Sequence, residues 1–284
     1  MTVSDRLLEH RDAMTPSERQ LVNTLLDDYP IVGLSSITDL ADAASVSTTT
    51  VTRMLQKTGF EGFPQFQAAL RSELKEMISD PIAKRSVWKH ELPDEHILNR
   101  YSRQALDNQQ RSLDDVNPED FDQLCQLLST PERTVYIAGG RITSALANYL
   151  YLHLQMIRPN VRLVSNSGAW PQDLLDVKQG DVVIVFDVRR YENTTLQMAQ
   201  MCASKNAQIV LFTDQWRSPI HRIASNTFSG RIVVPSAWDS CLPLLMLIEC
   251  TIAALQERMW TTVKERTDDL EAMFDQTKLF RKFT

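Results

Sequence analysis

The spacing of apolar residues changes once along this chain, near Thr134. Before that point apolar residues recur every three or four positions, which is typical of amphipathic helices. After it, short apolar runs of strand length alternate with helical segments, a pattern that predicts a parallel sheet covered by helices. The length of 284 residues also favours more than one domain. We therefore expect a multi-domain protein: an all-α N-terminal domain followed by an α/β three-layer domain with a parallel five-stranded sheet.

The same patterns suggest where the domains and elements lie. We expect an all-α domain over residues 1–78, a helical linker over 79–116, and the α/β domain with a helical tail over 117–284. The predicted strands are residues 135–138, 161–164, 182–186, 209–212 and 232–234. Helices are expected near residues 142–157, 194–204 and 239–257.

Residues 36–57 predict two short helices joined by a tight turn, the second of which is capped by Ser47. Val51, Met54 and Leu55 of this second helix fall on its core side. Its polar residues are the candidate DNA contacts: Ser47, Thr48, Thr49, Thr50, Thr52, Arg53, Gln56 and Lys57. A helix of this kind fits the major groove, where its leading side chains reach base edges. Composition alone leaves open the alternative of a solvated polar face on an ordinary helical bundle.

The carboxyl ends of the first and third predicted strands carry the candidate ligand site, because parallel sheets bind ligands there. The candidates are Gly139, Gly140, Arg141, Thr143 and Ser144 after the first strand, and Asp187, Arg189, Arg190, Tyr191 and Thr194 after the third. A glycine turn before a helix offers backbone amides to an anion, and arginines suit bidentate recognition of carboxylate or phosphate. The alternative is that the glycines only turn the chain and that the arginines pair with Asp187 or Glu192.

Charge and cysteine content limit the class of protein. The net charge of −6 gives no general attraction to nucleic acid, so any DNA contact must come from a local patch. The four cysteines have no metal-type spacing, and the chain has no signal peptide or long apolar run. We expect a cytoplasmic protein that needs no metal or cofactor and does not enter a membrane.

A second stretch in the N-terminal half carries a family resemblance. The motif is Ser47-x-x-Thr50-Val51-x-Arg53 followed by Gly59-Phe60-x-Gly62-Phe63-Pro64-x-Phe66. Residues 15–74 resemble the helix-turn-helix domain of MurR/RpiR-type bacterial transcription regulators. The resemblance implies binding to a double-stranded DNA operator. In this interpretation Gly59 ends the reading helix, and Phe60, Phe63 and Phe66 seal the underside of the next helix.

Residues 117–255 resemble the SIS (sugar isomerase) domain that usually completes such regulators. SIS domains that hold phosphosugars resemble Gly-x-Gly-x-Ser after the first strand and Ser-x-Ser-Gly-x-Thr after the third. Here the first motif has arginine at the second glycine, and the second becomes Asp187-Val188-Arg189-Arg190-Tyr191-Glu192. The resemblance is thus to a variant without the Ser-x-Ser-Gly motif.

This departure leads to a hypothesis about the effector. We expect a small anionic metabolite (a carboxylate, sugar acid or phosphorylated metabolite) clamped by Arg141 and by Arg189 or Arg190. Thr143, Ser144 and Tyr191 would hydrogen-bond nearby, and Asp187 would read a hydroxyl or amine.

The expected function is transcription regulation in which the effector alters operator binding. Because operator half-sites one turn of DNA apart require a two-fold protein, we expect a homo-oligomer, at least a dimer. The alternative is a sugar-phosphate isomerase or another carbohydrate-derivative-binding protein of the SIS fold. Isomerisation needs a positioned base, and Glu249 and His221 form no recognisable pair, so we assign no catalytic residue and expect no enzyme.

Overall fold

The computed structural model of the protein describes residues 2–27, 29–78, 81–82, 84–85, 95–165 and 168–281. The chain divides into two compact units, Met1–Leu92 and Pro93–Thr284. Of the segment expected as a linker, residues 79–80, 83 and 86–94 lie outside the described residues. Its later part forms a helix that packs within the second unit, where the Asn108 amide donates to the carbonyl of Val233 at 2.7 Å.

The first unit is built from helices. They are α1 (Val3–Glu9), α2 (Pro16–Asp27), α3 (Ile37–Ala43), α4 (Thr48–Lys57) and α5 (Phe63–Ile78). Their apolar faces meet in one core that contains Leu21, Leu40, Leu55 and Phe66 among its buried residues. The apolar residues that recur at helical spacing in the sequence therefore form one continuous core.

Local signals fix the bounds of α3 and α4. The Ser36 hydroxyl accepts the Asp39 N–H in a capping box, and the Ser47 hydroxyl accepts the Thr50 N–H. Gly59 follows α4 with a φ of 78°, a left-handed conformation that glycine adopts without strain. The predicted helix stop and the predicted core position of Phe60 and Phe66 are both confirmed, since these two rings lie buried edge to face.

The second unit alternates strands with helices after two initial helices. The helices are α6 (Ile97–Asp114), α7 (Pro118–Leu128), α8 (Ser144–Ile157), α9 (Trp170–Asp173), α10 (Asn193–Ser204), α11 (Leu242–Arg258) and α12 (Trp260–Thr277). The strands are β1 (Val135–Gly139), β2 (Val161–Leu163), β3 (Val182–Asp187), β4 (Gln208–Asp214) and β5 (Asn226–Gly230).

The five strands form one parallel sheet in the order β2-β1-β3-β4-β5. One face packs under α7, α8 and α11, with Phe186, Phe212 and Phe228 stacked across three strands. The other face packs against α10, so the unit has three layers, as predicted. In this strand order the chain leaves β1 toward β2 and returns to β3, and the carboxyl ends of β1 and β3 therefore flank a crevice.

The predicted fifth strand is wrong in position. The structure places β5 at Asn226–Gly230, whereas residues 232–234 lie in the loop that follows. The prediction favoured 232–234 because Ile232 and Val234 are apolar, and both are indeed buried. However, β5 is an edge strand that buries alternate residues, so its polar members concealed it.

Candidate functional site

The exposed face of α4 carries polar side chains over a buried apolar face. Val51, Met54 and Leu55 are fully buried, and this contact fixes the orientation of the helix. The exposed positions are Thr48, Thr49, Arg53, Gln56 and Lys57, together with the cap residue Ser47. Sequence spacing predicted this division, and the face presents hydroxyl, amide and guanidinium groups to solvent.

Three of the predicted hydroxyls have partners within the helix itself. The Ser47 hydroxyl accepts the Thr50 N–H at 3.1 Å and lies 2.9 Å from the Thr50 hydroxyl. The Thr52 hydroxyl donates to the carbonyl of Thr48. The Ser47 cap therefore stabilises the start of α4, and all three hydroxyls are bonded within the helix. Among the described residues, no hydrogen bond engages the side chains of Thr48, Thr49, Arg53 or Gln56.

Lys57 does not extend freely from α4 as the sequence suggested. Its Nζ lies 2.7 Å from Oε2 of Glu18, whose side chain is 1% exposed. Hydrogen bonds from Lys57 and from Thr15 lower the pKa of Glu18, although burial acts in the opposite direction. Lys57 thus ties α4 to α2, and its ammonium group compensates the charge of the buried Glu18 carboxylate.

A pocket of about 500 Å³ opens at the carboxyl ends of β1 and β2, beside the start of α10. Such a volume suits a small molecule. Its lining residues are Ala138, Gly139, Arg141, Val164, Ser165, Gly168, Trp170, Glu192, Thr194, Thr195, Gln197 and Met198. Of the predicted site residues, Gly139, Arg141 and Thr194 are among them.

Arg141 and Glu192 are the charged side chains among the described lining residues. The Arg141 backbone N–H donates to Glu192 Oε1 at 2.9 Å. The Arg141 side chain itself is exposed at the pocket. A Cβ on Gly140 would lie 2.7 Å from Glu192 Oε1, so the Glu192 carboxylate occupies the space beside this glycine.

The Thr143 and Ser144 hydroxyls of the first turn, predicted to hydrogen-bond a ligand, bind backbone carbonyls instead. Thr143 is buried, and its hydroxyl donates to the carbonyl of Phe186 at 2.8 Å, which joins the turn to β3. The Ser144 hydroxyl donates to the carbonyl of Arg141. Both groups satisfy backbone carbonyls where the chain passes from strand to helix, so neither lines the pocket.

The loop after β3 is held against the end of β4 by Asp214, which is fully buried. Asp214 accepts hydrogen bonds from the Arg189 N–H, the Tyr191 hydroxyl and the Trp216 N–H. Burial raises the pKa of Asp214, and these donors act against that shift. Tyr191, predicted to contact a ligand, is therefore committed to this internal network.

The predicted arginine clamp is not formed. The Arg189 side chain is 3% exposed; its Nε lies 3.5 Å from Asp239 Oδ2, and its guanidinium lies over the Trp216 ring at 4.6 Å. Arg190 is exposed, has a left-handed φ of 62°, and is not among the pocket residues. Arg189 therefore has a structural contact, as the alternative supposed, but its partner is Asp239 and not Asp187 or Glu192.

Asp187 is also an interior group. It is 3% exposed and accepts hydrogen bonds from the Ser218 hydroxyl and from the Glu192 N–H. Burial raises the pKa of Asp187 to about 7, and the nearby carboxylates of Asp214 and Glu192 act in the same direction. It therefore positions the loop and does not reach the pocket.

Sequence reasoning missed Glu192, Trp170, Ser165 and Gln197 as pocket residues. Glu192 stood beside the predicted residues, and its place directly before a helix start was the available signal. Trp170 and Ser165 follow β2, a short and mostly exposed strand whose carboxyl end carried no motif. The remaining signal was topological, since these residues follow the two strands that flank β1.

Comparison with known families matches both units. The model of the rpiR-family helix-turn-helix domain matches residues 1–77, and the SIS domain model matches residues 128–254. The chain belongs to the RpiR family of helix-turn-helix regulators that carry a SIS domain. It is therefore a DNA-binding transcriptional regulator, as the resemblance implied.

Curated relatives of this RpiR-family chain are transcriptional regulators. An uncharacterised HTH-type transcriptional regulator of Clostridium perfringens is 19% identical over 94% of this chain and 96% of its own length. The RpiR regulator of Escherichia coli is 22% identical over 75% of this chain and 71% of its own. HexR of Escherichia coli is 22% identical over 86% and 82%, respectively. These relatives are named as regulators, not as enzymes.

Solved structures share the fold. The sugar isomerase domain of an RpiR transcription factor from Sphaerobacter thermophilus has a TM-score of 0.59 at 16% identity, covering 63% of this chain and 99% of that one. Vibrio vulnificus NanR, solved in complex with ManNAc-6P, has a TM-score of 0.56 at 16% identity, covering 98% and 99%.

The described residues contain neither a membrane-spanning helix nor a metal-binding cluster. Within the described ranges, no helix combines the length and apolarity needed to cross a membrane. Among the same residues, no group of three or more His, Cys, Asp or Glu side chains could hold a metal ion. The four cysteines are free thiols.

Proposed function

We propose that this regulator reads its operator through Thr48, Thr49, Arg53 and Gln56 of α4. Their side chains lie on the exposed face of the helix, and Arg53 supplies the positive charge there. Arginine pairs with guanine edges or with phosphates, and hydroxyl and amide groups hydrogen-bond to bases. Ser47, Thr50, Thr52 and Lys57 support this face through the contacts described above.

We further propose that the second unit binds a small polar metabolite with an anionic group in the pocket beside α10. The observation that carries this proposal is the exposed Arg141 side chain in the pocket at the carboxyl ends of β1 and β2, beside the start of α10. Arginine is the residue best suited to pair with a carboxylate. In this proposal Arg141 alone pairs with the anionic group, whereas the sequence predicted a clamp formed by Arg141 and by Arg189 or Arg190.

In the proposed mechanism, the protein acts in the cytoplasm as a homo-oligomer, at least a dimer, whose two α4 helices contact neighbouring half-sites. The metabolite changes operator affinity only to the extent that it binds the two functional states of the protein differently. Couplings of this kind typically change affinity by roughly 5- to 150-fold.

The test is a fluorescence anisotropy titration of labelled duplexes from the region upstream of the protein's own gene. Carboxylate metabolites are added in turn, and the operator affinity of wild type is compared with that of Arg141→Ala. We expect Arg141→Ala to bind the duplex normally and to lose the response to the metabolite. Arg162→Ala is the matched control, since this arginine is 53% exposed, pairs with Asp176 and lies outside the pocket lining. A full response in Arg141→Ala would contradict the assignment of the pocket.

A further inference from the structure

The backbone turn after β1 binds a carboxylate of the protein itself, that of Glu192. The Arg141 N–H points to Glu192 Oε1 at 2.9 Å, and the carboxylate fills the space beside Gly140. Backbone amides in such strand-to-helix turns attract negative charge. Here that charge comes from Glu192, which also lines the pocket.

The position of Glu192 is fixed by the loop that carries it. Its own N–H donates to the buried carboxyl of Asp187. The preceding residue, Tyr191, is anchored by its hydroxyl to Asp214 at 2.8 Å. The following residue begins α10. Because both sides of Glu192 are held, its carboxylate is preorganised at the pocket.

The carboxylate changes which ligands the pocket accepts. A phosphate monoester brings about two negative charges near neutral pH, and Glu192 repels both while occupying the Arg141 N–H. A ligand with one carboxylate pairs with the Arg141 side chain at lower electrostatic cost. Hydroxyl or ammonium donors on the same ligand hydrogen-bond to Glu192, and the neutral groups of Thr194 and Gln197 line the same cavity.

We infer that Glu192 is a specificity-determining residue that excludes phosphate monoesters and selects an unphosphorylated hydroxy or amino acid. The inference rests on the proposed function, because it assumes that the effector binds in this pocket. Arg141 meets the carboxylate of the ligand, and Glu192 meets its hydroxyl or ammonium groups. Trp170 also lines the pocket and offers an apolar ring to the carbon skeleton of such a ligand.

The experiment is calorimetric titration of inorganic phosphate into the full-length protein at pH 8, where phosphate is mainly a dianion. Wild type, Glu192→Gln, Glu192→Ala and Glu257→Gln are compared. Glu257 is an exposed residue of α11 and controls for the loss of one negative charge. We expect phosphate affinity to rise at least about tenfold in Glu192→Ala, because the repulsion is removed and the Arg141 N–H is released. Glu192→Gln removes the charge but keeps the side-chain volume, so its gain should be smaller. Glu257→Gln should match wild type.

A melting curve for each variant confirms folding, and the nearly isosteric Glu192→Gln decides the question if Glu192→Ala unfolds. Equal phosphate affinity in wild type and in the folded Glu192 variants would overturn the inference. A second titration uses D-gluconate and 6-phosphogluconate, which differ only by the phosphate group. Wild type should bind 6-phosphogluconate more weakly than D-gluconate. In Glu192→Ala this difference in affinity should be smaller. A third outcome separates the two proposals: wild type binds no carboxylate, but Glu192→Ala still binds phosphate more tightly than wild type does. In that case the proposed function fails and the role of Glu192 in excluding phosphate stands.

Discussion

The exposed face of α4 and the loop after β3 contain the same kinds of side chain and use them in opposite ways. Arg53 on α4 is exposed, and no hydrogen bond within the described residues engages its guanidinium. Arg189 in the loop is 3% exposed and is bound to Asp239 and Trp216. Residue type therefore does not decide whether a side chain is available to a ligand. Availability depends on what packs above it, and strand-end loops acquire such neighbours from distant parts of the chain.

The largest expected effect follows from breaking the internal network of the loop. Asp214→Ala leaves the Arg189 N–H, the Tyr191 hydroxyl and the Trp216 N–H without their acceptor. Because each buried unsatisfied donor costs about 1–3 kcal/mol, we expect the free energy of unfolding to fall by on the order of 5 kcal/mol. Urea denaturation followed by circular dichroism measures this change. Asp176→Ala removes an exposed carboxylate from a surface ion pair and should cost less than about 1 kcal/mol. Similar losses in both variants would show that the loop is not held by Asp214.

A smaller effect is expected from the pH dependence of stability. Burial raises the pKa of Asp187 to about 7 in the folded protein. At a pH between the ordinary pKa of an aspartate and 7, the folded protein therefore binds a proton at Asp187 that the unfolded chain does not bind. Stability from this group is therefore greatest at low pH and is lost as pH rises to 7. From pH 5 to pH 8 we expect the free energy of unfolding of wild type to fall by about 3 kcal/mol more than that of Asp187→Asn. Urea titrations of both proteins across this range provide the measurement, and parallel pH profiles would contradict the interior role of Asp187.

The smallest expected effect is a difference in stability between two variants of α4, one that removes a structural hydroxyl and one that removes an exposed hydroxyl. Ser47→Ala removes the cap of α4 and should lower the free energy of unfolding by about 1 kcal/mol. Thr49→Ala removes an exposed hydroxyl from the same helix and should change it by less than about 0.5 kcal/mol. Thermal denaturation of the two variants tests the difference. If Thr49→Ala is the more destabilising, the division of α4 into supporting and available groups is wrong.

The sequence predicted elements whose signals are local and missed features that depend on distant partners. The bounds of α4 follow from the Ser47 cap and the Gly59 stop, and β3 is a continuous apolar run. The edge strand β5 was missed because only alternate residues of it are buried. Arg189 was misjudged because its partner Asp239 lies far along the chain, and nothing beside it in sequence indicates that contact. Glu192 was seen only as a possible partner of the arginines, since its contact with the Arg141 N–H requires two strand ends to meet.

The central claim is that the exposed face of α4 reads DNA, and operator affinity of the Arg53→Ala variant tests it most directly. Anisotropy titrations at one fixed salt concentration compare wild type, Arg53→Ala and Arg71→Ala on the operator and on a scrambled duplex. Arg71 is an exposed arginine of α5 that hydrogen-bonds to Gln67, and it serves as the charge-matched control. We expect Arg53→Ala to weaken operator binding by about 10- to 100-fold, and Arg71→Ala to leave it unchanged. Wild-type affinity and sequence preference in a Thr49→Ala, Arg53→Ala double variant would contradict the account.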